Sequence, residues 1–113
     1  MIGTRQFFGD RERDFALPPA LILELERLTG QGIGGLSRRL MAGDFKLADL
    51  HQTIRLGLIG GGAEPQEAAA LIAAYVETRP VLEAYALAVT VIDHVMTGGL
   101  SLTEPKENGR ADP

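Results

Sequence analysis

Three consecutive glycines, Gly60 to Gly62, constrain this chain more than any other feature. They close a stretch, GDFKLADLHQTIRLGLIGGG, whose last apolar residues are Leu56, Leu58 and Ile59, and Pro65, Gln66 and Glu67 follow closely. Glycine loses the most backbone entropy on ordering and packs no side chain, so the run is expected to break the chain between two helices rather than lie within one. Pro65 suits the first position of the second helix, where its missing N–H is no loss.

The flanking segments carry helical spacing. Leu47, Leu50, Ile54 and Leu58 form one stripe, predicting a helix over 47–59, with Asp49 near its positive end. Pro18 and Pro19 open an earlier helix in which Leu21, Ile22, Leu25 and Leu28 share a face, and Thr29 and Gly30 end it. A short helix is expected over 33–42, with Ile33, Leu36, Leu40 and Met41 inward and Arg38 and Arg39 toward water. An alanine-rich helix follows over 65–78, and Pro80 begins a last helix running to about Met96. From Ala84 to Ile92 that last helix has only Thr90 as a polar residue. It is therefore expected to be central in the fold or covered by a partner or another copy.

Ahead of the helices, 4–8 and 13–17 read as two strands joined by a turn over Gly9, Asp10, Arg11 and Glu12. Alternation sets Phe15 and Leu17 against Asp14 and Ala16. The expected fold is mainly α: an N-terminal β-hairpin followed by about five helices in a compact bundle. Residues 1–99 are expected to form one helical domain, and 100–113 a flexible, disordered tail.

Composition narrows the function. The 113 residues include no cysteine, which removes disulfides and thiolate chemistry and fits a reducing cytoplasm. A net charge of −4 argues against general nucleic-acid binding. The charge is uneven: residues 1–55 hold 8 Lys/Arg and 7 Asp/Glu, and residues 56–113 hold 3 and 8, suiting association with an unlike surface. Glu83, Asp93 and His94 interrupt the last helix too soon for a membrane span.

Motifs for chemistry are weak. Gly30, Gly32 and Gly35 spell a dinucleotide fingerprint with Asp49 near the ribose-binding offset, but the preceding segment has helical rather than strand periodicity. Gly60 to Gly62 lack the Lys-Ser or Lys-Thr of a phosphate loop and read as a helix stop and hinge. His51 and His94 have no partner at metal-binding spacing, and no nucleophile has a visible base. No cofactor, metal or catalytic residue is expected. Arg11, Arg13, Arg38, Arg39 and Arg55 form a basic face only if they are not consumed by Asp10, Asp14 and Asp44.

Several separated motifs resemble the gene transfer agent family of phage-tail proteins, described as tail assembly chaperones or tail tube proteins. They are ELE-x-x-TG at Glu24 to Gly30, GDF at Gly43 to Phe45, TIRLGLIGGG at Thr53 to Gly62, P-x-EA at Pro65 to Ala68, and Arg79-Pro80. The resemblance covers roughly residues 4–98. It implies a non-enzymatic role in tail morphogenesis, as an assembly chaperone binding another tail protein such as the tape measure. The alternative is a structural tail tube or terminator subunit, and a weaker one is a small cofactor-binding enzyme. The site of action is expected to be the bacterial cytoplasm or a phage-like particle tail. Partner contact is expected at Leu71, Tyr75, Leu82, Tyr85, Val89 and Ile92, with Arg38 and Arg39 available to an acidic surface, the partner being another tail protein or a second copy in a homo-oligomer.

Overall fold

Two strands and five helices follow one another in the computed structural model, which describes residues 3–99. The tail expected over 100–113 lies outside the described residues.

Strand β1, Gly3–Phe8, pairs antiparallel with β2, Arg11–Ala16, in a register that sets Phe8 opposite Arg11. The turn is therefore only Gly9 and Asp10, shorter than the four residues expected. Gly9 makes this possible by adopting φ 72°, the left-handed conformation that a two-residue hairpin turn requires. Phe8 and Phe15 point to the core and meet edge to face at 5.9 Å. On the other face Arg5, Phe7, Glu12 and Asp14 are exposed. The expected alternation fails at Ala16, which is buried together with Phe15 and Leu17.

Helices α1 (Pro19–Thr29), α2 (Ile33–Met41), α3 (Leu47–Gly60), α4 (Pro65–Tyr75) and α5 (Val81–Thr97) match the expected order. Gly30 ends α1 at φ 75° and Gly98 ends α5 at φ 68°, both left-handed stops. Helix α4 stops three residues early. Val76 leaves regular geometry at φ −115°, and the Glu77 N–H donates to the Ile72 carbonyl instead of extending the helix. Pro80 caps α5 from outside rather than entering it.

The central element is α3, not α5. Asp49, Leu50, Thr53, Ile54, Leu56, Gly57 and Leu58 are all buried, and α3 packs against β2, α1, α4 and α5. Helix α5 buries only Ala84, Ala88, Val91 and Ile92. Two residues assigned to buried stripes lie outside: Leu47, the first residue of α3, is 52% exposed, and Met41, the last of α2, is 51% exposed.

The glycine run holds the hairpin to this central helix. A Cβ on Gly60 would stand 1.8 Å from the Ala16 carbonyl oxygen, and one on Gly61 would stand 1.9 Å from that of Asp14. The Cα–H groups of both glycines thus face strand carbonyls in the manner of weak C–H···O contacts. Gly60 is the last helical residue, and Gly61 has an ordinary φ of −84°. Only Gly62, at φ 119°, is needed for its backbone conformation. The run is a backbone docking seam as well as a helix stop.

Candidate interaction surface

The six residues expected to meet a partner do not share one face. Leu71 and Ile92 are core side chains, since both point toward neighbouring elements within the subunit. Tyr75 is half-buried, edge-on to Phe8 at 5.9 Å and close over Gly9. Tyr85 stacks on Phe45 at 4.9 Å and donates its hydroxyl to the Leu40 carbonyl, tying α5 to the end of α2. Val89 is half-buried, and Leu82 is 72% exposed.

What reaches the surface is a narrower strip along α5. Leu82, Ala86, Val89 and Met96 recur at spacings of four, three and seven, which keeps them on one side of a helix. Leu82, Ala86 and Met96 are exposed, and Val89 is partly covered. The opposite side of α5 carries the buried Ala84, Ala88, Val91 and Ile92. Sequence alone showed apolar residues all round; the division into core and surface comes from α3, which takes the alanine-bearing side where backbones can approach closely.

A second apolar feature lies at the hairpin tip. Phe7 is 69% exposed and borders a groove of about 360 Å³ shared with Phe8, Tyr75, Val76, Ala84 and Leu87. Arg79 and Glu83 line the same groove and pair with each other at 3.0 Å. The Arg79 guanidinium, through its hydrogen bond, holds the Glu83 carboxyl below its ordinary value, and Glu83 raises Arg79 in turn.

The arginines are divided among separate partners. Arg13 joins Asp10 at 2.9 Å and reaches Glu67 at 3.7 Å, linking the hairpin to α4. Its hydrogen bond keeps the exposed Asp10 carboxyl below the ordinary aspartate value. Arg5 pairs with Asp14 across the strands at 3.1 Å, and Arg55 donates to Gln52. Arg38 is exposed and has no ion pair among the described residues. Arg39 turns inward, away from the water-facing position expected of it, to Gln31, to Asp49 at 3.6 Å and to Asp44 at 3.9 Å.

Asp49, expected near the positive end of α3 and standing at the ribose-binding offset of the glycine pattern, is a structural acid that joins several segments. It is fully buried, accepts the Lys46 N–H at 2.9 Å and lies 3.4 Å from the Gln31 amide. Lys46 in turn donates its ammonium to the Thr29 carbonyl at 3.1 Å, so the end of α1 and the start of α3 are laced together. The spacing of Lys46 and Asp49 at the helix start was the available signal, because an acid three residues in can reach back to the N-terminal N–H.

The cofactor fingerprint falls in the wrong setting. Gly30 and Gly32 flank the junction of two helices, Gly35 lies inside α2, and helix α1 occupies the place of the strand that a dinucleotide fold needs. Glu26, from α1, accepts the Ile33 N–H at 2.8 Å and caps α2 where a phosphate would otherwise sit. Among the described residues no group of three His, Cys, Asp or Glu is placed to hold a metal, and no helix is long and apolar enough to cross a membrane.

A family model described as phage tail tube protein, GTA-gp10, matches residues 3–98. No curated protein and no solved structure matches the chain.

Proposed function

We propose that this chain, which belongs to the phage tail tube protein family GTA-gp10, serves tail construction by holding another tail protein before that protein assembles. The family is one of structural tail proteins, which supports a role in binding rather than catalysis. The carrying observation is the outward strip Leu82, Ala86, Val89 and Met96 on α5. Apolar residues kept at helical spacing on the surface suit an amphipathic helix of a partner, which would read them as successive anchors. A long tail component such as the tape measure is a client of that kind, and the site of action is the cytoplasm in which a phage-like tail is built. Arg38, exposed and unpaired among the described residues, is a further contact for an acidic client.

The test is co-purification of the full chain with the products of neighbouring tail genes. The double variant Leu82→Ala, Val89→Ala is expected to lose at least about tenfold in client affinity, equivalent to ~1.4 kcal/mol, while its far-UV helicity is unchanged. Unchanged client binding in that variant would rule out this face.

A second reading, a subunit of the tail tube itself, is favoured by the family's being one of tail tube proteins. A tube subunit persists in the purified particle, whereas a chaperone leaves it.

A further inference from the structure

The hairpin has one closed edge and one open edge. The Asp14 and Ala16 carbonyls of β2 face Gly61, just beyond α3, and Gly60, its last residue, so that edge is occupied. Their cross-strand partners Arg5 and Gly3 therefore sit in non-hydrogen-bonded pairs, and so does Phe7, opposite Glu12. These three residues turn their backbone N–H and C=O groups away from β2. The sheet has no third strand among the described residues to receive them. Natural edges are usually blunted by proline, lysine or a bulge. Here β1 reads GTRQFF, carries none of these, and exposes Phe7.

We propose that the open edge of β1 is a self-association site, at which β1 of a second copy of this chain pairs antiparallel about a twofold axis to give a continuous four-stranded sheet. A second copy has only one strand to offer, because its β2 edge is closed by its own glycine run. Charge excludes one register, and a cation–aromatic contact favours another. A twofold axis at Arg5 would set two arginines directly opposite each other, which is destabilising. An axis at Gln6 instead sets Arg5 opposite Phe7 of the second copy and Gln6 opposite Gln6, with cation against aromatic face. Arg5 is the one charged residue of β1 and is already balanced by Asp14 on the same face, so no net repulsion opposes the approach. The site lies on the hairpin, apart from the α5 strip, and does not rest on the chaperone reading.

The absence of cysteine makes the register directly testable. In the proposed pairing the two Gln6 residues form a non-hydrogen-bonded pair with Cα atoms about 4.5 Å apart, within disulfide reach. Under mild oxidation Gln6→Cys is expected to give a covalent dimer. Thr4→Cys, on the same strand face but about 13 Å from its counterpart, is not. Neither is Leu23→Cys, an exposed position on α1 that reports random collision. In sedimentation velocity, Phe7→Lys, which brings a lysine against Arg5, is expected to weaken dimerisation about tenfold or more with the far-UV spectrum unchanged. The proposal is overturned if Gln6→Cys cross-links no faster than Leu23→Cys, if Thr4→Cys links as fast, or if Phe7→Lys self-associates like the parent chain.

Discussion

At the scale of single residues, two features hold more of this structure than their size suggests. Gly60 and Gly61 admit the carbonyls of Ala16 and Asp14 where any Cβ would collide with backbone. Strand and helix backbone yield little, so Gly60→Ala should cost at the upper end of the ~1–3 kcal/mol typical of overpacking, or more. Gly30→Ala, whose Cβ meets nothing but whose φ is 75°, should cost only about 1 kcal/mol from backbone strain. Comparing the two midpoints in urea checks the ranking. Asp49 is the second feature. Asp49→Ala strands the Lys46 N–H and weakens the hold on Arg39, with an expected loss of roughly 2–3 kcal/mol in the same measurement. The glycine run was legible in the sequence as a break between helices, because that follows from backbone entropy. Its second use was not, since a close approach depends on which strand arrives from elsewhere in the chain. Asp49 does lie at the positive end of α3, but its burial was not legible for the same reason: Gln31 and Arg39 reach it from elsewhere in the chain.

At the scale of elements, order and type were readable, and environment was not. Helix starts at Pro19 and Pro65 and stops at Gly30 and Gly98 follow from local chemistry alone. Which helix would be surrounded did not follow. Helix α5 is the more apolar, yet α3 sits in the middle because it alone meets β2, α1, α4 and α5. Four alanine and valine or isoleucine positions on α5 suffice to fill its side of that contact, leaving Leu82 and Met96 outside. This division separates two classes of mutation on residues that looked alike. Leu71→Ala and Ile92→Ala should each cost about 2–4 kcal/mol of stability, as buried large-to-small changes do, whereas Leu82→Ala should stay within about 0.5 kcal/mol. Thermal unfolding distinguishes them. The junction of α4 and α5 adds a pH effect. Glu83 is held below its ordinary value of 4.5 by Arg79, so its contribution is present above that pH and lost as pH falls through the lowered value. The protection of amides at the start of α5, measured relative to their intrinsic exchange rates at each pH, should therefore fall modestly on acidification below about 4.5, because the pair is exposed and screened.

At the scale of the whole molecule, the chain is a mainly helical tail-family protein whose hairpin is welded to its central helix and whose last helix shows an apolar side to solvent. The sequence motifs from Glu24 to Pro80 pointed to the family, and the family model spans them with the hairpin and α5 included. The exposed apolar strip was only half legible: Leu82 and Val89 lie on it, while Leu71 and Ile92 are buried, since apolar periodicity marks core and surface faces alike. The proposed role requires that this protein bind tail components without becoming one. Quantitative mass spectrometry of purified phage-like particles tests it most directly, set beside the same measurement on the assembling lysate. The chain should be found in the lysate bound to a tail protein and be absent from the particle; recovery at the stoichiometry of a repeating tail component would contradict the account.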